Sequence, residues 1–317
     1  MFNVEIKSER DEDICLLVKV DNHSYNYICE CGEAKKLGVK ECQNTNAIFL
    51  SHTHIDHFVN FDTVLRHQIG IQRKIIIVGP RGIINQVQSR IKSYCWNLIE
   101  EGSVSYEVRE VQELGSYKTA ILSPPLWEKE EVKIISSNTI FEEKNFIVEY
   151  ELLDHKTTSI AYLFKGVDKT KIELTKGLKG GKWVGELKKA FEANEAKSII
   201  NIEGVEHNAE ELFHLIKLEK GRKLGVIMDH AAHKENHDKI LEKYFGCEDV
   251  YIECFYKDED KESAIKNYHS YASQSGEIMK ACKVSNAVPV HFSRKYDDSE
   301  IDELILQFEK ARKENGT

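Results

Sequence analysis

Three histidines and one aspartate crowd into six consecutive positions, His52-Thr53-His54-Ile55-Asp56-His57, directly behind the apolar run 47–50. In an extended segment, residues two apart face the same side, so His52 and His54 converge on one point. If the chain then turns into a helix through FVNFDTVLRHQ, Asp56 and His57 swing to a second point nearby. Imidazole and carboxylate are the ligands a borderline ion such as zinc prefers. Four ligands in so short a span predict two adjacent metal ions, carried on a loop at the end of a strand.

Two metals need further ligands from elsewhere in the chain. Three candidates stand at the ends of predicted strands: His155 after FIVEYELLD, Asp229 after LGVIM and His291 after AVPV. Each taken alone is a capping or turn residue as readily as a ligand. Together with the loop they complete a set of seven.

The surrounding pattern fits a sheet-based scaffold. Short β-branched, apolar runs predict strands at 14–20, 47–50, 74–78, 132–136, 146–150, 159–164, 224–228, 250–253 and 287–290. Longer periodic stretches predict helices at 83–99, 183–193, 236–245, 273–282 and 299–313. Two sheets with helices outside them, in one continuous domain over residues 1–317, is the α/β architecture this order implies. Composition agrees: 41% of the 317 residues are hydrophobic and 31% charged, which excludes a disordered chain. No apolar run approaches the roughly 18 residues of a membrane span. The opening MFNVEIKSERDEDI lacks the basic start and apolar stretch of a secretory signal, so a cytoplasmic protein is expected. The eight cysteines have no paired CxxC spacing; Cys29 and Cys31 read as buried thiols rather than ligands.

The formal net charge of −9 rules out wholesale basicity as a route to nucleic acid. One stretch runs the other way. Residues 165–189 hold eight lysines against three acids and five of the 18 glycines, with GLKGGKW at their centre. They predict a protruding, mobile arm at about 165–190, with Lys176, Lys179 and Lys182 as anion-binding candidates. His230, His233 and His237 fall at helical spacing and are expected on a hydrated face.

The order SHTHIDH, LLDHKTTSIAYLF, GVIMDH, YIECFY, YHSYASQSGEIMKACKV and VPVHFSRKY resembles the metallo-β-lactamase superfamily, and within it ribonuclease Z, the tRNA 3′-end endonuclease. The resemblance runs from about residue 28 to 296. It implies a four-layer αβ/βα sandwich and two Zn2+ per chain, the same ligands also suiting Mn2+ or Fe2+. It implies that His52, His54 and His155 hold one zinc, that Asp56, His57 and His291 hold the other, and that Asp229 bridges both. Asp56 would also accept a proton from the attacking, metal-activated water. His269 would assist the leaving oxygen, and Glu253 would orient His269. Precursor tRNA is the implied partner, a homodimer the implied assembly, and the lysine stretch the implied substrate arm. The chain departs from the family in having Ile55 for Gly, Ile252 for the His before Glu253, Glu30-Cys31-Gly32 for Asp-Cys-Gly, and no proline in the arm. Hydrolysis of a small phosphodiester such as a cyclic nucleotide is the alternative within enzymes. A non-catalytic, zinc-stabilised scaffold is the alternative outside them.

Overall fold

The computed structural model describes residues 1–174 and 179–313. The chain groups into two compact units, one made of 1–165 with 222–317 and the other of 166–221. The larger unit holds two sheets. The first has eight strands in sequence order: β1 (Phe2–Ile6), β2 (Leu16–Val20), β3 (Asn26–Cys29), β4 (Thr45–Phe49), β5 (Lys74–Gly79), β6 (Ser105–Glu113), β7 (Ser116–Leu122) and β8 (Lys129–Ser136). Its middle, β3 to β6, is parallel. The second runs from β9 (Thr139–Glu143) through β10 (Phe146–Asp154) and β11 (Thr158–Gly166) to strands Lys223–Ile227, Asp249–Glu253 and Asn286–Val290. Its last three strands are parallel to one another.

Residue parity along each strand sorts the larger unit into four layers. In β4, Ala47 and Phe49 point into the space between the sheets, while Ile48 and Leu50 pack outward with Phe61, Val64, Ile84 and Val87 of two covering helices. In β11, Tyr162 and Phe164 face the inter-sheet core, and Ala161 and Leu163 face the helices beyond it. Strands buried on both faces read as continuous apolar runs, which is why these were legible in sequence. Each fully buried large apolar side chain stabilises by about 1.5–3 kcal/mol over its exposed state. The inter-sheet layer collects many of them: Phe49 meets Phe141, Tyr162 and Phe164 edge-on at 5.2–5.6 Å, and Phe146 lies against Phe141 and Phe164 at 6.0 and 6.1 Å.

All nine predicted strands are present, and several others escaped notice. β6, SYEVREVQE, mixes apolar residues with charges that find partners: Glu107 pairs with Lys74 on the neighbouring strand at 2.5 Å and with Arg109 on its own strand at 2.7 Å. The helix expected to reach residue 99 ends at Lys92. There Ser93 Oγ donates to the Arg90 carbonyl and the Trp96 indole N–H to the Ile91 carbonyl, replacing the next helical donors. The three histidines at 230, 233 and 237 do not share a hydrated helical face. The helix begins only at Lys234; His233 caps it, and His230 lies fully buried before it, Nδ1 donating to the Met228 carbonyl.

The smaller unit, Gly166–Gly221, includes the lysine-rich stretch and extends past it. Helix Lys182–Glu192 supplies Trp183, Leu187 and Ala190 to a small core completed by Ile200, Ile202, Ala209, Leu212 and Leu215. Those partners, Ile200 to Leu215, are 11 to 26 residues downstream of the lysine stretch that ends at Lys189, whose local composition gives no hint of them. Across this unit ten lysines are balanced by ten acidic residues. Lys171 pairs with Glu219, Lys217 with Glu173 and Lys182 with Glu186. Lys179 and Lys182 are exposed, and Lys176 lies outside the described residues.

Candidate metal centre

Parallel pairing decides where the chemistry-bearing residues emerge. β3 and β4 are in register at Cys29 and Phe49, so Glu30 and the 51–57 segment leave the same end of the first sheet together. In the second sheet Ile227 is level with Ile252, and Glu253 with Val290. Asp229, Glu253 and His291 therefore lie at the C-terminal ends of three neighbouring strands. His155 joins them from the turn between β10 and β11, its N–H closing onto the Thr157 carbonyl.

The structure brings all seven expected ligands to one place. Ligand atoms of His52, His54 and His155 lie within 4.8 Å of one another, as do those of Asp56, His57 and His291. Asp229 stands between the two groups. Its Oδ2 is 3.5 Å from His155 Nε2 and 3.9 Å from His52 Nε2, while its Oδ1 is 3.1 Å from both His57 Nε2 and His291 Nδ1. Helix Ile55–Phe58 begins at His54, and this turn separates the His52–His54 point from the Asp56–His57 point.

The donor set suits a cation. His52 Nε2, His57 Nε2, His291 Nδ1 and Asp229 Oδ1 are all buried, yet none makes a hydrogen bond. Four orphaned polar atoms converging in one pocket would cost about 1–3 kcal/mol each if nothing filled their valences. Burial lowers the His52 pKa to about 2, the neighbouring His57 adding to it, so this imidazole is neutral and its lone pair is available. Burial also works against protonation at His291, but the Asp229 carboxylate outweighs it and carries His291 up to about 10. His57 is raised in the same way, by Asp229 and then Glu30. Burial would push Asp229 up; His291 and His57 hold it well below the usual carboxylate range. A positive charge is wanted here, and a metal ion is the alternative to bound protons.

Glu253 and His269 sit beside this cluster. Glu253 is fully buried rather than a surface acid at a strand end. Its Oε1 accepts from His269 Nδ1 at 2.5 Å, and its Oε2 accepts the Ser270 N–H at 3.0 Å and the His230 N–H at 3.4 Å. Burial opposes charge on His269, but the Glu253 carboxylate prevails and raises its pKa. His269 Nδ1 is also 3.6 Å from Asp229 Oδ2, so the pair borders the centre directly.

Sequence reasoning gave Glu30 no role, and the structure gives it one. Glu30 Oε2 accepts from His57 Nδ1 at 3.0 Å, and Oε1 accepts the Ser51 N–H at 2.8 Å. A buried carboxylate that takes the Nδ1 proton fixes the tautomer and turns Nε2 of His57 toward the centre. The backbone at Glu30 has φ 64°, which breaks the strand's alternation. Cys29 consequently joins the inter-sheet core and Cys31 the outer one, so the two thiols do not converge. Gly32 completes the bend: a Cβ there would lie 2.3 Å from the Asp13 carbonyl group. The signal available in sequence was the Glu-Cys-Gly placed just after a strand that pairs with the metal loop's own. His155 is fixed similarly, Nδ1 donating to the Tyr268 carbonyl at 2.6 Å.

No family model matches the sequence. Among curated proteins, ribonuclease Z of Deinococcus radiodurans is 22% identical over 317 residues, covering 96% of this chain and 94% of that one. Ribonuclease Z of Borreliella burgdorferi is 28% identical over 308 residues, covering 94% and 86%. Among solved structures, the short form of human tRNase Z superposes with a TM-score of 0.55 at 15% identity, over 89% of this chain and 86% of that one. The metallo-beta-lactamase fold protein YhfI from Bacillus subtilis gives 0.57 at 12% identity, over 97% and 92%. The chain is a metallo-β-lactamase-fold protein that resembles ribonuclease Z. The clustered His and Asp side chains at the sheet ends could hold a metal ion.

Proposed function

We propose that this chain is a dinuclear zinc phosphodiesterase that acts as an endonuclease on the 3′ ends of precursor tRNA. The observation that carries it is the placement of the Glu253–His269 pair against a centre made of His52, His54, Asp56, His57, His155, Asp229 and His291. Two zinc ions held by these residues, or manganese or iron in their place, would acidify a water and offset charge on a phosphate. Asp56 is positioned to take the proton of that water. Burial works against its ionisation, but His291, 3.6 Å away, and then His57 keep it below the usual carboxylate range, so it is an acceptor at neutral pH. His269 stands ready as the acid for the departing alkoxide. Glu253 holds its Nδ1 proton, leaving Nε2 to face the leaving group, and favours the charged ring near neutral pH. Cleavage of an RNA phosphodiester needs such a donor, because a ribose alkoxide is a poor leaving group; hydrolysis of a lactam or thioester gives this pair no evident task.

The resemblance to ribonuclease Z supplies the substrate class, and exposed Lys179 and Lys182, with Lys176, are the contacts proposed for its phosphates. A homodimer working in the cytoplasm is part of the same reading; no helix among the described residues is long and apolar enough to cross a membrane. The test is incubation of the purified chain with a 3′-extended tRNA in the presence of zinc or manganese. Cleavage at the 3′ end is expected, with binding that weakens as salt rises. A second reading, hydrolysis of a cyclic nucleotide at the same centre, is favoured by the absence of net charge on the Gly166–Gly221 unit. Intact tRNA alongside hydrolysed cyclic nucleotide would replace the first reading with the second.

A further inference from the structure

His269 is held at its edge by Glu253, but an edge contact alone leaves a planar ring free to swing about the hydrogen bond. The restraint on its face comes from Phe255. The two rings are parallel within 7°, with centroids 3.8 Å apart, the closest of the ring contacts around the centre. The same phenyl ring lies 5.1 Å from the His291 ring. Its backbone is tied to the His291 loop as well: Ser293 N–H donates to the Phe255 carbonyl at 3.0 Å, and Cys254 N–H to the Val290 carbonyl at 2.9 Å. On other sides, His269 meets the His155 ring at 4.7 Å and the Tyr256 ring at 5.9 Å, both steeply inclined. Among the described residues, Phe255 is therefore the side chain that stacks on the flat face of His269 while also resting against His291.

We propose that Phe255 is a positioning residue for His269: by stacking on the imidazole and abutting His291, it fixes the ring plane and the spacing between acid and metal centre. This rests on the reading of His269 as the acid for the leaving group. The phenyl ring of Phe255 offers neither a metal ligand nor a transferable proton. Its effect must pass through His269, and so must depend on how much protonation the leaving group needs. An RNA alkoxide needs it; the nitrophenolate of bis(4-nitrophenyl) phosphate does not.

The experiment compares wild type, Phe255→Leu and Phe255→Tyr on 3′-extended tRNA and on bis(4-nitrophenyl) phosphate, at equal zinc content. For Phe255→Leu, kcat on tRNA should fall roughly 10- to 100-fold, the scale of a small misplacement of a reacting group. KM should stay within about twofold, because ground-state binding is untouched. Turnover of the nitrophenyl ester should hold, and Phe255→Tyr should keep both activities. Placed in a His269→Ala background, Phe255→Leu should cost nothing more on tRNA. Equal losses on the two esters, or a full further loss without His269, would overturn the proposal. A direct readout separates this from the substrate reading. The imidazole Nδ1 proton of His269 should give a sharp, exchange-protected NMR signal in wild type and Phe255→Tyr, broadened away in Phe255→Leu. If wild type leaves tRNA intact, the substrate reading fails and this signal alone judges Phe255, its persistence in Phe255→Leu counting against positioning. Should Phe255→Leu unfold, Phe255→Met provides the non-aromatic filler of similar volume.

Discussion

At the residue scale, the centre is governed by what a buried carboxylate does to a buried imidazole. Glu30 makes no contact with Asp229 or the other ligating groups except through His57, yet it sets which His57 nitrogen faces inward. Glu30→Ala should lower metal affinity by about 10- to 100-fold, the usual cost of losing such an outer partner. Competition with a fluorescent chelator measures it, and unchanged affinity would show that the Cys31 N–H on the His57 carbonyl and the helix hold His57 unaided. The protons on His291 and His57 lead to a second expectation. Asp229 raises both pKa values, His291 to about 10, so near neutral pH metal ions must displace protons to bind. Between pH 7 and 9 affinity should rise with pH, about tenfold per unit for each proton displaced. Calorimetry in two buffers of different ionisation enthalpy counts those protons; a buffer-independent heat would contradict the assignment.

At the scale of elements, each functional residue owes its place to how its strand or helix ends. Asp229, Glu253 and His291 are aligned because three parallel strands are level at their C-terminal ends. The helix Ala272–Ala281, which follows His269 and Ser270, is seated against the C-terminal helix Asp298–Lys313 through Gly276. A Cβ at Gly276 would stand 2.4 Å from the Phe308 carbonyl oxygen and 3.0 Å from Ala311 Cβ. Backbone gives way poorly, so Gly276→Ala should destabilise by about 1–3 kcal/mol despite the better helix propensity of alanine. Chemical denaturation reads this directly. A more stable variant would mean the two helices part at little cost.

At the scale of the molecule, the ligands come from both sheets. His52, His54, Asp56 and His57 leave the first sheet, while His155, Asp229 and His291 leave the second. A cation bound among them joins the two halves of the sandwich at its open end, in addition to the apolar layer between the sheets. Ions that bind the folded chain and not the unfolded one stabilise by mass action. Removing metal with EDTA should therefore lower the melting temperature, and zinc should restore it. Because the ligands leave both sheets, loss of metal should be felt cooperatively and not only at the loop. A melting temperature indifferent to chelation would argue that the sheets are held by packing alone.

Much of the centre was legible before folding. The spacing of His52, His54, Asp56 and His57, and the position of His155, Asp229 and His291 behind apolar runs, are local facts of order, and periodicity along strands translates them into direction. What sequence did not disclose depends on contacts distant along the chain. Glu30 reaches His57 only because the backbone takes a left-handed turn that reverses strand parity. His230 is buried because a helix starts four residues later than its spacing suggests. Trp183 and Leu187 find a core among residues far downstream of the lysines beside them. Phe255 stacks on His269 from 14 positions earlier in the chain, past the helix Lys261–Asn267. The residue types that can do the chemistry, and the strands that carry them, are written locally; which neutral or acidic neighbour fixes each of them in place is settled by packing, where the partner is chosen by three-dimensional proximity rather than by order.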